Sequence, residues 1–235
     1  MTPGLGERKR QRTRETVADT ALRLFAARGF DQVTVEEIAE ASEVSPRTFF
    51  RYFAAKEDTL FAESDAGRDV LLQSLTTQPV DVPALEALQA AMRSVAGYYA
   101  DQRDRLRMRH QVVASSFSLR TRTAERQQRW ESDVVDYVRV SGRAGDMDDL
   151  ELRLLVASTT TALRVAVETW VAADSATPLA DLLEIAFRRL CVGFVPHPQV
   201  RSVVASGPEQ VTSMSLHNEV ARLKASTKIV TAAWR

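Results

Sequence analysis

Residues 45–53 bring arginine, aromatic and hydroxyl side chains together on one short segment. At about 100° per residue, Phe49 and Phe53 point to the same side of a helix. The residues that then point outward or flank that side are Pro46, Arg47, Thr48, Phe50, Arg51 and Tyr52. Arginine forks bind guanine edges, hydroxyls donate to phosphates, and a phenyl or proline ring can touch a thymine methyl group. The segment therefore predicts a helix face that binds the major groove of DNA.

Start signals for two short helices surround this segment. Thr34 lies three residues before Glu37, the spacing of a capping box in which each side chain accepts the other residue's backbone N–H. The box predicts a helix through Ala41, followed by a tight turn over residues 42–44. Ser45 is a good N-cap and the proline after it suits the first helical position, so a second helix begins there. The pattern predicts a helix-turn-helix.

Basic residues flank this unit at both ends. Lys56 begins a further helix, where free amides and a positive charge favour a backbone phosphate. Upstream, an apolar stripe predicts a first helix over about residues 13–28, which Gly29 ends. A basic arm precedes that helix and includes Arg8, Lys9, Arg10 and Arg12. We expect such an arm to lie along a duplex or to enter its minor groove.

The rest of the chain is also helical in its periodicity, which makes the predicted fold class all-α. Apolar stripes predict longer helices over about residues 57–75, 83–101, 104–114, 119–141, 148–173 and 178–194. The predicted domains are therefore 1–56, the basic arm plus the helix-turn-helix, and 57–195, a larger helical domain. Prolines and glycine interrupt the pattern after that, and residues 196–235 form a tail to which the sequence assigns no function.

Composition and missing motifs narrow the class of protein. The 31 basic residues balance 31 acidic ones, so attraction to nucleic acid must come from a local patch. The sequence contains no nucleophile elbow, no phosphate-binding glycine loop and no paired metal ligands, so we expect neither an enzyme nor a metal or other cofactor. The most apolar stretch carries Arg164 and Glu168, which disfavours a membrane span. We expect a cytoplasmic protein.

The helix-turn-helix residues also match a known family. Residues 24–30 are LFAARGF, residues 34–41 are TVEEIAEA and residues 44–57 are VSPRTFFRYFAAKE. This run resembles the N-terminal domain of TetR-family transcriptional regulators. The resemblance implies a homodimeric repressor that binds a palindromic operator and is released by a small molecule. It also implies that the DNA contacts include Thr34, Ser45, Arg47, Thr48, Phe50, Arg51, Tyr52 and Lys56.

Two positions depart from the family pattern. Phe50 stands where the family usually has a tyrosine that reaches phosphate, so this contact is lost or becomes apolar. Ala54 and Ala55 stand where a serine or threonine often caps the next helix.

Residues 104–130 resemble the subgroup of these regulators that binds acyl-CoA-like ligands. Aromatic, apolar and polar side chains on the predicted helices of this region could line an apolar pocket with a few polar groups. The candidate ligand contacts are Tyr98, Met108, Arg109, His110, Phe117 and Trp130. Structural packing is the alternative role for each of them.

The last two predicted helices carry the stripes that pair two copies in the family. The candidate dimer contacts are Leu154, Thr161, Val165, Leu183, Phe187 and Leu190. The alternative is that these residues pack inside one protomer, and Arg164 with Glu168 could then form a buried structural pair. Two other functions also remain open at this stage: a helical adaptor that binds only protein, and a DNA-binding regulator without a small-molecule effector.

Overall fold

The structure, a computed structural model, describes residues 4–172 and 177–192, and the regular elements in these ranges are all helical. This confirms the all-α fold class. The α-helices are α1 (Leu5–Arg28), α2 (Val35–Ala41), α3 (Pro46–Tyr52), α4 (Ala62–Thr77), α5 (Ala84–Tyr99), α6 (Arg103–Ser115), α7 (Phe117–Val140), α8 (Asp149–Ala172) and α9 (Leu179–Val192). Short 3₁₀ segments follow α1, α3 and α5, at Phe30–Gln32, Lys56–Phe61 and Ala100–Gln102. The predicted tail over 196–235 lies outside the described residues.

Helices α2 and α3 begin as the sequence predicts. The Thr34 hydroxyl accepts the N–H of Glu37 at 3.2 Å, and the Glu37 carboxylate accepts the N–H of Thr34 at 2.9 Å. At the start of α3, the Ser45 hydroxyl accepts the N–H of Thr48 at 3.1 Å, and Pro46 is the first helical residue. An N-cap of this kind stabilises a helix by about 0.5–2 kcal/mol. Local hydrogen bonds thus fix the first residue of each of the two helices.

Helix α1 begins earlier than the sequence predicts. It starts at Leu5, so the basic residues before Thr13 belong to the helix and do not form a separate arm. The reason is local, because residues 7–16 contain neither glycine nor proline and are mostly good helix formers. Gln11 also donates to Glu15 one turn further on, at 2.8 Å. The prediction of a separate arm before the first helix is therefore wrong for these residues.

The first three helices enclose a hydrophobic cluster. Its members include Val17, Ala18, Ala21, Leu22, Phe25, Ile38, Ala39, Phe49 and Phe53. Phe49 and Phe53 are buried, which confirms the inward side of α3. Val112 of α6 and Leu119 of α7 belong to the same cluster. The corner between α6 and α7 therefore packs against the helix-turn-helix, and a division of the chain at residue 57 does not separate the two hydrophobic clusters.

Helices α4 to α9 enclose the second hydrophobic cluster. One stripe of α5 is buried in it, from Ala84 through Leu88, Met92 and Val95 to Tyr99, with the spacing of a helix face. Helix α8 adds eight residues to this cluster, so one broad side of it packs against the other helices. No helix in the described ranges combines the length and the apolar character needed to cross a membrane.

Arginine side chains cap two helix C-termini in the second cluster. Buried Arg143 donates to the carbonyls of Leu75, Gln78 and Pro79 at 2.6–2.8 Å, where α4 ends. Arg103 and Arg107 donate in the same way to the last carbonyls of α8. The final carbonyls of a helix have no partner within it, so these contacts satisfy groups that burial would otherwise leave unpaired.

Candidate nucleic-acid interface and cavity

The outward side of α3 presents the side chains that the sequence predicts there. Pro46, Arg47, Phe50 and Arg51 are all exposed, and 54% of the Phe50 surface is accessible. We call these four residues the groove face. Arg47 and Arg51 lie on the side of this two-turn helix opposite the buried Phe49 and Phe53. Pro46, in the first turn, and Phe50, whose ring contacts that of Phe49 edge-on, flank the buried side. The groove face thus combines two guanidinium groups with an apolar ring and a proline.

The two hydroxyls at the start of α3 are ordered by each other. Ser45 accepts the N–H of Thr48 and donates its own hydroxyl hydrogen to the Thr48 oxygen at 3.0 Å. The Thr48 hydroxyl accepts that bond and keeps its own hydrogen available. Because a hydroxyl carries one donor, Thr48 is the member of this pair that can donate to a phosphate.

Arg51 and Tyr52 contact each other at the end of α3. The Arg51 guanidinium donates to the Tyr52 hydroxyl at 3.2 Å and lies 4.9 Å from the centre of its ring. A cation over an aromatic face is favoured, so this contact holds the flexible arginine near one conformation. Tyr52 is only partly exposed and in this position orients Arg51.

The side chain of Thr34 is fully used within its own capping box. Its hydroxyl lies 3.2 Å from the Glu37 carboxylate, and its backbone N–H donates to the same carboxylate. The N–H of Thr34, followed by the Arg28 guanidinium at 2.8 Å, holds the pKa of the Glu37 carboxyl below its ordinary value. The lowered pKa keeps Glu37 ionised, so the box persists at neutral pH and weakens only as pH falls through that lowered pKa.

Lys56 makes contacts that the sequence does not suggest. Its ammonium donates to the carbonyls of Phe30 and Val33, both at 2.8 Å, and lies 4.4 Å from the centre of the Phe30 ring. The amide of Ala55 just before it donates to Asp58 at 3.0 Å, so the acidic half of a capping box is present although the serine or threonine hydroxyl is missing. Lys56 therefore ties the segment after α3 to the segment before α2.

We expect Lys56→Met to lower the free energy of unfolding by about 1–3 kcal/mol, because two carbonyls lose a charged donor. Operator binding should weaken alike for all DNA sequences, since Lys56 lies off the groove face. Urea unfolding and binding titrations on matched and mismatched duplexes measure the two effects. Lys9→Met is the matched control, because Lys9 is exposed on α1 and its loss should leave stability unchanged. Equal stability of the two variants would show that the bonds from Lys56 to the carbonyls of Phe30 and Val33 do not stabilise the fold.

The four predicted arm residues lie on the first turns of α1. Arg8, Lys9, Arg10 and Arg12 are all exposed there. A cation on a helix has a fixed direction relative to the rest of the domain. These residues can therefore contact phosphates of the DNA backbone from fixed positions on the helix, whereas a flexible arm would follow a groove.

A cavity of about 790 Å³ opens among α4 to α8. Its apolar lining includes Tyr99, Leu106, Val113, Leu163 and Val171. The lining also holds six arginines, Arg68, Arg109, Arg120, Arg126, Arg129 and Arg164, against the four carboxylates of Asp65, Glu131, Asp133 and Glu168. Pockets of this volume are typical for small-molecule ligands. The excess of arginine gives the lining a positive balance.

The structure brings only part of the predicted ligand set to this cavity. Arg109, His110 and Trp130 line it. Tyr98 is 37% exposed and Phe117 is 76% exposed, both outside the lining, and Met108 packs against the first hydrophobic cluster. These three residues therefore stand apart from the cavity.

Two buried donors in the cavity wall have no hydrogen-bond partner among the described residues. They are the indole N–H of Trp130 and the Nε–H of Arg68. An unpaired buried donor costs about 1–3 kcal/mol, so an acceptor on a bound molecule would recover stability here if the wall opened slightly.

The same cavity holds the Arg164–Glu168 pair at 2.9 Å, but the two side chains are 45% and 43% exposed. The expectation of a buried pair is wrong.

The predicted dimer contacts separate into two groups. Leu154, Thr161 and Val165 are exposed along one side of α8, and Leu190 is exposed on α9. Leu183 and Phe187 are buried in the second cluster of their own protomer. The four exposed residues remain candidates for contact with another copy. Leu183 and Phe187 pack inside the protomer, which was the alternative role for the predicted dimer contacts.

Comparisons with known proteins agree with this architecture. The family of bacterial regulatory proteins called tetR matches residues 17–63, and a family described as the MftR C-terminal domain matches residues 82–195. The chain is 44% identical over 99 residues to the HTH-type transcriptional regulator TcmR of Streptomyces glaucescens, a match that covers 42% of this chain and 44% of TcmR.

Two solved structures share the fold. FadR of Thermus thermophilus, a TetR-family transcriptional repressor in complex with lauroyl-CoA, is 26% identical with a TM-score of 0.50; the match covers 83% of this chain and 100% of that one. FadR of Bacillus halodurans, a fatty acid degradation regulator, is 21% identical with a TM-score of 0.54, over 81% of this chain and 96% of that one. The protein belongs to the TetR family of DNA-binding transcriptional regulators. It is therefore a regulator and not an enzyme.

Proposed function

We propose that the protein is a cytoplasmic, dimeric repressor that binds a palindromic operator and is released by an elongated apolar effector, with acyl-CoA-like molecules as the leading class. The groove face carries this proposal, because an exposed surface of Arg47, Phe50 and Arg51 on a short capped helix has the chemistry of base recognition. The exposed cations at the start of α1 add phosphate contacts that favour any duplex.

The side of α8 that bears Leu154, Thr161 and Val165 supports the dimer. Leu154 is 57% exposed and Val165 is 43% exposed, and they lie eleven residues apart along the helix. That spacing is about three turns, so they share one side. Burial of such a side against its own symmetry mate would remove apolar surface from water in both copies. Two copies would also present two groove faces to successive major grooves.

The cavity supports an effector with an apolar chain and an oxygen-rich head group. Its apolar residues suit a hydrocarbon chain, while its arginines and the two unpaired donors suit phosphate, carboxylate or carbonyl oxygens. FadR of Thermus thermophilus, the relative bound to lauroyl-CoA, is also a repressor. We extend both properties to this chain. A regulator without an effector is the alternative, and titration with lauroyl-CoA decides between them.

The dimer and its mode of binding can be tested without knowledge of the regulated gene. We expect sedimentation of the protein with an operator duplex to give two protomers per duplex, with half-site centres about 34–36 Å apart in a footprint. Binding should weaken steeply as salt rises from about 50 to about 200 mM, because phosphate contacts release counterions.

A matched variant isolates the dimer surface. Leu154→Glu places a charge on the exposed side of α8 and should yield monomers that bind the operator weakly, whereas Val140→Glu, at an exposed apolar position of α7, tests whether any added surface charge has this effect. One protomer per duplex in the wild type, or affinity that does not respond to salt, would refute the proposed mode of binding.

A further inference from the structure

We propose that Arg126 binds an anionic group of the effector, and that Asp65 transmits this event to Arg14 behind the recognition helix α3. This inference rests on the proposed function and specifies the chemistry of the ligand and its route to the DNA-binding helices. We call Arg126, Asp65 and Arg14 the relay.

Asp65 of α4 is shared by two arginines from different parts of the fold. One carboxylate oxygen accepts from Arg14 of α1 at 3.1 Å, and the other accepts from Arg126 of α7. Asp65 and Arg126 both line the cavity, whereas Arg14 does not. The carboxylate thus joins a residue that a ligand can reach to a residue of the DNA-binding helices.

Arg14 connects the carboxylate to the end of α3. Its guanidinium lies 5.3 Å from the centre of the Phe53 ring, and Phe53 is the buried residue that ends this helix. Only 24% of the Arg14 side chain is exposed. Because Arg14 lies between Asp65 and Phe53, a change in its partner changes the packing at the end of the recognition helix.

Arg126 is arranged to receive an anion. Its guanidinium lies 4.6 Å from the centre of the Phe61 ring, and its remaining N–H groups have no bond to the described part of the chain. A guanidinium carries donors on several edges, so it can bind phosphate or carboxylate with one edge while it leaves Asp65. Phe61 supports the group from its flat side and limits the directions in which it can turn.

The direction of the coupling follows from competition for Arg126. An anion in the cavity takes Arg126 from Asp65, and the carboxylate is then left with Arg14 alone. The bound state therefore favours a different position of Arg14 and of the end of α3 than the free state does. A ligand shifts an equilibrium only through different affinities for the two states, and this competition supplies such a difference.

Other ion pairs between the two hydrophobic clusters lack this connection. Asp19 pairs with Arg105 at 2.8 Å, and Glu57 pairs with Arg122, but none of these four residues lines the cavity. They can hold the clusters together without responding to a ligand. Asp65 is different because both of its oxygens are in use and one of its partners faces the cavity.

A double-mutant cycle tests the relay without any ligand. Arg126→Gln removes the cavity-side partner and should weaken operator binding by about two- to fivefold, the range that partly exposed ion pairs support. In the Asp65→Asn background the same change should have no further effect. Arg139→Gln is the matched control, because Arg139 also lies on α7 and pairs with aspartates, but those are Asp136 and Asp149 of α7 and α8. It should leave operator affinity unchanged.

A ligand titration supplies the second arm, with lauroyl-CoA and dodecanol as probes. In the wild type, lauroyl-CoA should weaken operator binding and dodecanol, which lacks the anionic groups, should do so far less. In Asp65→Asn, lauroyl-CoA should still bind, measured by calorimetry, while its effect on operator affinity falls toward none. Circular dichroism confirms that each variant folds, and Arg126→Met, which also removes the charge, replaces Arg126→Gln if the latter does not.

The outcomes separate the relay from the proposed function. If lauroyl-CoA leaves the wild-type operator affinity unchanged, the proposed effector is rejected. The coupling between Arg126 and Asp65 is then tested by the double-mutant cycle without ligand. If the wild type responds but Asp65→Asn responds equally, or if Arg126→Gln has the same effect in both backgrounds, the relay is rejected and the effector stands.

Discussion

Replacement of Arg47 by alanine should weaken operator binding by about 1–3 kcal/mol, or about 5- to 150-fold, and should relax base preference at one position of each half-site. The Arg47 side chain is exposed on the groove face, and the structure gives it no hydrogen bond or ion pair with other described residues. Its fork is therefore available for two hydrogen bonds to a guanine.

Arg51→Ala should have a similar effect at a different base, since Arg51 lies four residues, about one turn, further along the same helix. Arg47→Lys keeps the charge but loses the fork, so it should bind DNA with reduced preference. Arg23→Ala removes an exposed cation of α1 that is not on the groove face and serves as the charge control. Anisotropy titrations against the operator and its single-base variants measure these effects. Intact preference in both Arg47→Ala and Arg51→Ala would show that another surface contacts the bases.

An acyl-CoA-like effector should lower operator affinity by about 5- to 150-fold, the usual range of coupling between two sites. Complete release needs more, since a shift from 99:1 to 1:99 between two states requires about 10⁴-fold different affinities. A long chain can supply this by burial in the cavity, at about 0.8 kcal/mol for each methylene that only one state encloses.

Linkage makes this effect reciprocal, so saturating operator must lower effector affinity by the same factor. Calorimetric titration of lauroyl-CoA into free protein and into the protein–operator complex measures it. Decanoyl-CoA and palmitoyl-CoA should change the ratio of effector affinities for free and operator-bound protein, because chain length changes the apolar area that is buried. Equal affinity of every chain length for the free and the operator-bound protein would reject acyl-CoA molecules as effectors and would leave DNA binding intact.

Much of the helix-turn-helix can be predicted from the sequence because its signals are local. The Thr34–Glu37 box and the Ser45–Pro46 start each depend on residues within one turn of a helix, and the structure has both. The stripe of Phe49 and Phe53 likewise decides which side of α3 is exposed. Such features need no knowledge of what lies across the fold.

The contacts of Lys56 and Arg143 could not be predicted in this way. Lys56 donates to carbonyls 23 and 26 residues earlier, and Arg143 donates to carbonyls more than 60 residues earlier. No pattern around a single cation indicates which distant helix end it will meet. The relay has the same character, since Asp65 lies 51 residues from Arg14 and 61 from Arg126.

Only part of the cavity lining can be predicted from the sequence. Tyr98 and Tyr99 are adjacent, and a helix turns by about 100° between them, so only one can face the core. Tyr99 continues the buried stripe of Met92 and Val95, and it lines the cavity, whereas Tyr98 does not. The periodicity of α5 carried this signal. No sequence pattern indicates that Phe117 is exposed, because the exposure of this side chain depends on the corner that α6 and α7 make.

Sequencing of the duplexes that the protein retains from a random library tests the central claim most directly. The account predicts enrichment of one inverted repeat, with half-sites about one helical turn apart, in wild-type protein. The double variant Arg47→Ala, Arg51→Ala should lose that enrichment, and lauroyl-CoA should reduce it. Retention of duplexes with no shared motif, or the same motif from the double variant, would contradict recognition of DNA by the groove face.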